Sequence, residues 1–453
     1  MENLKLLVLN GAFSELRSLL CQGGILEPAS LKEISALLFN KSKKLEGGRE
    51  WEAAAEAYAL YVDFFATRDA FLAFNSLLHC LRQASRFEDA NKWEIKLYNN
   101  FSYSVGGHWF DSILAEESLS AVWRFFEMLL VGRKHSAAAE QWLNLFLAVR
   151  RAMSGETFPP LTISSEEHTC SPRKIFVAGF ERSGTGAIRA YFNEYPDVYE
   201  VPGSEIQIIS GANGLAGFLA CVDKESVVRF FIRFLKVHGF GLGDIRSSLD
   251  WKEISRARII ISEVDSLRYC KAFSRLFVGL LAAQDVSAIA DACARFMDDF
   301  LLSFGKSDNT VFFFNNIVNC RSVCNMQVVG NYFYIPVLRD PRDQYASTVQ
   351  TRRPELTGEA FVHAFQKTRR MYEGGLQKID RDNVFEVQYE DFVRDEGVRV
   401  ALAEAAGLLG RSHNKYEFFK PWDSESNIGI YRSCNAAHVK HVYSRLKSFC
   451  VEV

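Results

Sequence analysis

The stretch that decides the fold runs from Lys174 to Phe192, KIFVAGFERSGTGAIRAYF. KIFVAGF is an almost continuous apolar run, the pattern of a central parallel strand buried on both faces. AIRAYF carries helical spacing, and ERSGTG lies between the two. A strand, a Gly-rich loop and a helix in that order aim backbone N–H groups and a helix dipole at one spot, which favours an anion. Gly184 and Gly186 permit unusual dihedrals and close backbone approach. Ser183 and Thr185 add hydroxyl donors. Gly179 to Gly184 has the glycine spacing of a triphosphatase loop, yet Thr185 stands where such a loop carries lysine. The cation has moved inside the loop, as Arg182. The bland alternative is an ordinary Gly-rich turn.

Downstream, short β-rich runs alternate with helical segments. RIIIS from Arg258, TVFFF from Thr310, YFYIPVL from Tyr332 and NVFEVQY from Asn383 read as further strands. The alternation predicts an α/β domain with a P-loop-like, mostly parallel sheet flanked by helices, spanning residues 174–453. VLRDPRDQYAS, Val337 to Ser347, follows one of these strands. Arg339 then falls at a strand's C-terminal end, where ligands of open α/β sheets bind. Asp340 and Pro341 suit a turn and helix start. Ser347 lies about two helical turns further and can face the same side, so arginine and hydroxyl converge on a second phosphate. A solvated turn laced with salt bridges is the alternative for RDPRD.

Upstream, residues 161–173 fall in a Pro/Ser/Thr/Glu-rich linker, and residues 1–160 read as all helix. A turn at Asn10-Gly11 splits the first helical segment. REWEAAAEAY from Arg49 and RFEDANKWEIKLY from Arg86 are weakly alike at a period near that of two-helix repeats, and HSAAAEQWL from His135 is a third copy out of phase. A tetratricopeptide-like array and an irregular bundle both fit, and either could dock a protein partner.

The chain has 453 residues, 48% hydrophobic and 13% aromatic, with a formal charge of −2. It can bury a large core, and it carries no global footprint for nucleic acid. Ten scattered cysteines without a CxxC pair suggest reduced thiols. No apolar stretch is long enough to span a membrane, and the amphipathic start lacks the marks of a signal peptide.

With these motifs in place, the region from Lys174 onward resembles sulfotransferases that use 3′-phosphoadenosine 5′-phosphosulfate (PAPS), releasing the bisphosphate PAP. RSGT at Arg182–Thr185 is similar to their 5′-phosphosulfate loop, and RDPRDQYAS to their 3′-phosphate motif. VQYEDFVRD from Val387 resembles a YEDL segment common among them, and SNIGIYR, Ser426–Arg432, their C-terminal cofactor loop. The nearest branch is the tyrosylprotein and Golgi glycan type. The resemblance implies a sulfotransferase fold and no metal requirement. It assigns Arg182, Ser183, Gly184, Thr185, Gly186 and Ala187 to the phosphosulfate, Arg339 and Ser347 to the 3′-phosphate, and Tyr389, Asn427, Gly429 and Arg432 to the rest of the nucleotide. Lys420 and Trp422 belong to the same rim.

The resemblance points to Glu205 as the base that takes the acceptor's proton, with Glu200 and His238 as competitors. Arg182 would stabilise charge on the leaving group. One departure is Asn315-Asn316, where many relatives carry Lys-Thr-Pro. The acceptor this implies is a glycan hydroxyl, on a polysaccharide or lipid-linked sugar, with peptide tyrosine as the alternative. Golgi relatives carry a membrane anchor, so a bacterial cytoplasmic enzyme is expected. Two other classes compete: a P-loop nucleoside-triphosphate kinase, with RIIISEVD as an acid-bearing strand, and a non-catalytic scaffold.

Overall fold

A computed structural model describes residues 2–21, 28–65, 136–155, 171–203, 206–241 and 248–452, with scattered positions between 73 and 93. The chain divides into two compact units, Met1–Phe125 with Leu242–Asp250, and Phe126–Gly241 with Trp251–Val453.

In the first unit the helices Glu2–Asn10 and Phe13–Cys21 meet at Gly11, whose φ of 73° turns the chain where the sequence predicts a break. The helices Pro28–Gly47 and Trp51–Phe65 pack on one another. Leu16, Ile34, Leu38 and Tyr58 share their core, and the Tyr58 hydroxyl donates to Glu46 at 2.6 Å. The second repeat-like segment, from Arg86, lies mostly outside the described residues. The third falls in the helix Ser136–Met153, which belongs to the second unit. There Trp142 packs its ring 4.7 Å from Phe240 and 5.8 Å from Phe273. The second unit therefore includes a helix that lies before residue 160.

The second unit is an α/β domain around five parallel strands: β1 (Arg173–Gly179), β2 (Val198–Glu200), β3 (Val311–Asn315), β4 (Phe333–Leu338) and β5 (Val387–Gln388). Their order is β2-β3-β1-β4-β5. β1 is central because both its faces are apolar. Ile175 and Val177 join Val311, Phe313, Ile335 and Val337 in one core, while Phe176 stacks on Phe314 at 4.5 Å on the other face. Burying each such side chain contributes about 1.5–3 kcal/mol. The chain leaves β1 toward β2 on one side and leaves β4 toward β5 on the other. Neighbouring strands with opposite exits open a crevice at their C-terminal ends. Gly179 of β1 is registered with Val337 of β4, so the two strand tips lie side by side.

Two expected strands are corrected and one strand is new. RIIIS is not a strand but part of the helix Ser248–Glu263. Ala257, Ile260 and Val264 are buried while Ile259 is 48% exposed, a one-sided burial at helical spacing that overrides the β-branched composition. NVFEVQY pairs only through Val387–Gln388 and a single Tyr334–Val384 bridge, because Tyr389 already starts the helix Tyr389–Arg394. β2, which the sequence pattern does not predict, is only three residues long and completes the edge beside β3.

Candidate active site

The loop after β1 turns through three left-handed residues, Glu181 (φ 48°), Arg182 (φ 57°) and Gly184 (φ 95°). For the two non-glycines that conformation costs on the order of 1–3 kcal/mol each, so neighbouring structure must hold it. It also curls successive N–H groups toward a common point. The helix Thr185–Phe192 begins at Gly184 with no side-chain cap, leaving its first N–H groups open to a ligand. Gly184 is obligatory for a second reason: a Cβ there would lie 2.2 Å from the Tyr389 ring. Gly179 likewise makes room for the Ser183 hydroxyl, which a Cβ would meet at 2.1 Å.

Arg339 supplies the support from β4. Its Nη1 donates to the Arg182 carbonyl at 2.9 Å, its Nη2 donates to the Asn427 carbonyl, and its guanidinium lies 4.9 Å from the Tyr389 ring centre. One buried arginine thus joins the loop after β1, the C-terminal loop and the YED segment. Asp340 caps the helix Pro341–Thr351 as its sequence predicts, with Pro341 at the first position. Its carboxylate also pairs with Arg342 at 2.6 Å and accepts from the Val451 N–H at 2.9 Å. Glu390, buried in the YED segment, accepts from the Asp340 N–H at 3.0 Å, and burial lifts its carboxyl above the usual glutamate range. Tyr389 uses its hydroxyl on the Ser424 carbonyl at 3.1 Å and its ring against Gly184 and Arg339.

The C-terminal loop is tied down by a residue that no sequence motif singles out. Asp343, fully buried, accepts from the Gly429 N–H at 2.7 Å and the Tyr431 N–H at 3.0 Å. Desolvation raises its pKa, against the lowering effect of these two bonds. Gly429 has a φ of 79°, which lets the loop turn. Asn316, in the stretch that replaces Lys-Thr-Pro, has a φ of 55° and donates to the Thr185 hydroxyl at 3.2 Å.

These elements enclose a cavity of about 1050 Å³. Arg182, Ser183, Gly184, Thr185, Gly186, Ala187, Arg339, Ser347, Tyr389, Lys420 and Asn427 all line it. Gly429 does not line it but fixes its loop. Arg432 is placed elsewhere, lining a separate hollow with Arg342 and Tyr443. Trp422 is exposed and packs on Tyr416. Of the base candidates, Glu200 is bound to Arg189 at 2.8 Å and accepts from Asn193 at 3.3 Å. His238 is wholly buried away from the cavity, with Nε2 3.1 Å from the Asn213 carbonyl, and burial drops its pKa to about 3. Glu205 lies outside the described residues, though Gln207, two positions on, lines the cavity.

The local charge is opposite to that of the whole chain. Among the described lining residues are seven arginines and lysines against two carboxylates. Three buried polar atoms at the two strand tips, Arg182 Nε, Ser183 Oγ and Arg339 Nε, have no hydrogen-bond partner among the described residues. Buried donors are seldom left unmet, so an anion with several acceptor oxygens fits here. Among the described residues no helix is long and apolar enough to cross a membrane, and all nine cysteines are free.

Fold and site together define a parallel α/β protein with an arginine-rich crevice at the switch between β1 and β4. No protein-family model matches the sequence, and no curated protein does. Solved structures similar to the chain include the sulfotransferase domain of the Synechococcus PCC 7002 olefin synthase, 14% identical, with a TM-score of 0.37, covering 63% of this chain and 98% of that one. The sulfotransferase STF1 of Mycobacterium tuberculosis H37Rv is 13% identical, with a TM-score of 0.32 and coverage of 72% and 92%. The sulfotransferase STF9 of Mycobacterium avium is 10% identical, with a TM-score of 0.30 and coverage of 75% and 98%.

Proposed function

We propose that the protein is a PAPS-dependent sulfotransferase acting on a glycan hydroxyl. The observation that carries this reading is the bond from the Arg339 guanidinium to the Arg182 carbonyl. It brings the two strand tips together at one cavity, which is what a nucleotide charged at both ends requires. The unmet donors at Arg182, Ser183 and Arg339 and the close approach at Gly184 fit such a ligand. The triphosphate-kinase reading needs an acid-bearing strand at RIIISEVD, and that segment is helical up to Glu263.

When bound, PAPS supplies an activated sulfuryl group on an anhydride. The protein's part is to hold and to take a proton. The loop N–H groups and the first turn of the helix Thr185–Phe192 hold the 5′ end, and Arg339 with Ser347 holds the 3′-phosphate. Arg182 and Thr185 place donors where negative charge collects. Arg339, Asp343 and Glu390 keep these donors fixed, so little reorganisation is needed. Glu205 accepts the proton of the acceptor hydroxyl. The family resemblance points to it; of its competitors, Glu200 is bound to Arg189 and His238 is buried away from the cavity.

The test is binding of PAP by calorimetry, followed by transfer of label from radioactive PAPS to a glycan panel. The absence of both binding and transfer would refute the reading. Glu205→Ala should depress turnover while PAP affinity stays within about twofold, as expected for loss of a general base alone. Full turnover in that variant would remove Glu205 from the mechanism.

A further inference from the structure

The cavity, of about 1050 Å³, extends past the two strand tips. One wall is the helix Gly358–Leu376, which presents Phe361, Ala364, Phe365 and Thr368 to the cavity. Spacings of three, four and seven put these residues on one helical face. That face is a mostly apolar shelf, beyond both strand tips.

Three guanidinium groups fringe this shelf. Arg321 is held to it by its Nε, which donates to the Thr368 hydroxyl at 3.0 Å. Arg352 and Arg353 follow the helix Pro341–Thr351, and the Arg353 carbonyl accepts from the N–H of Leu356, another lining residue. Tyr345 fixes that turn: its hydroxyl donates to the Leu356 carbonyl at 3.1 Å and its ring lies 5.5 Å from Phe361. Among the described residues none of the three arginines pairs with a carboxylate, whereas Arg189 on the loop helix is neutralised by Glu200. Like charges around one hollow repel each other and are favourable only with an anion between them. The guanidinium fork matches carboxylate or sulfate oxygens. Gln207 and Asn319 also line the cavity. Their amides can both donate to and accept from hydroxyl groups.

We infer that this shelf is the acceptor subsite, and that the acceptor is a glycan already bearing negative charge, read by Arg321, Arg352 and Arg353. The inference rests on the sulfotransferase reading and narrows its substrate class to acidic glycans. The apolar shelf takes the sugar ring, the amides take hydroxyls, and the arginines take the acid groups.

The experiment titrates oligosaccharides into the full-length, PAP-loaded protein. One arm uses oligogalacturonate against its carboxyl-reduced form, and the other uses sulfated against unsulfated dextran oligosaccharides. At least one acidic form should bind about tenfold or more tighter than its neutral partner, and that preference should shrink with added salt. The double variant Arg352→Gln/Arg353→Gln should lose most of it while PAP affinity stays within about twofold. Both positions are exposed, and PAP binding reports that the variant is folded. Equal binding of acidic and neutral forms by a protein that binds PAP overturns this inference alone. So does a double variant that loses PAP as strongly as it loses glycan, because the arginines would then serve the donor. Binding of an acidic tyrosine peptide in place of every oligosaccharide overturns the glycan assignment. A wild-type protein that does not bind PAP overturns the donor reading, and this inference with it.

Discussion

Arg339→Ala is the perturbation that reaches furthest into the site. The residue is 7% exposed; its guanidinium bonds the Arg182 and Asn427 carbonyls and keeps its Nε unmet. Truncation has two separable consequences. Two carbonyls lose their donor, and each costs about 1–3 kcal/mol if it stays buried and unsatisfied, so the melting temperature should fall. The charge-assisted bond to the nucleotide also disappears. At about 1.5–3 kcal/mol for such a bond, and about 1.4 kcal/mol per factor of ten, PAP should bind some 10- to 150-fold more weakly. Calorimetry with two ligands isolates the second effect. Adenosine 5′-phosphosulfate lacks the 3′-phosphate, so it should feel only the loosened loop. The loss for PAP should exceed the loss for that ligand by about tenfold or more. Equal losses would refute the placement of the 3′-phosphate on Arg339 and leave this residue a prop for the loop.

Gly184→Ala puts a Cβ 2.2 Å from the Tyr389 ring at a φ of 95°, so both PAP affinity and melting temperature should drop. Gly186→Ala meets nothing within 4 Å, and its melting temperature should stay level or rise. Asp343→Ala releases the Gly429 and Tyr431 N–H groups; limited proteolysis should then cut near residues 427–433 and PAP should bind more weakly. Unchanged proteolysis would mean that the loop is held by other contacts. His238 is neutral in the folded state, with a pKa near 3, whereas an unfolded imidazole titrates near 6.5. The unfolded state therefore binds the proton first, and stability should fall as pH drops from about 6.5 toward 3, by at most about 1.4 kcal/mol per unit. The Glu253 carboxylate, 3.7 Å from Nε2, is the nearby group that would soften this slope. His238→Gln should flatten that part of the denaturation profile, and parallel curves for the two proteins would contradict the assignment.

Much of the second unit is legible before any coordinates. KIFVAGF, TVFFF and YFYIPVL announce strands because a strand buried on both faces must be apolar throughout. ERSGTG and RDPRD announce ends of strands because glycine, aspartate and proline have few other uses there. RIIIS misleads because three isoleucines suit a buried strand and a half-buried helix equally well; only the one-sided burial at Ala257, Ile260 and Val264 separates them. β2 is too short to stand out from its flanking turns. Asp343 and Glu390 look like surface acids of solvated turns. Their roles depend on partners 86 and 50 residues away, which no local pattern encodes.

By itself, then, the amino-acid order determined a parallel α/β unit with a Gly-rich loop after one strand and an arginine after another. Those features are local, arising from burial periodicity and from backbone freedom at a few turns. The tertiary structure alone decided that the two strands are neighbours and that Arg339 bonds the Arg182 carbonyl. It also buried Asp343 to hold the Gly429 loop and placed Arg432 outside the cavity. These are contacts between segments 80 to 160 residues apart, set by strand order and side-chain packing, which a linear pattern does not carry.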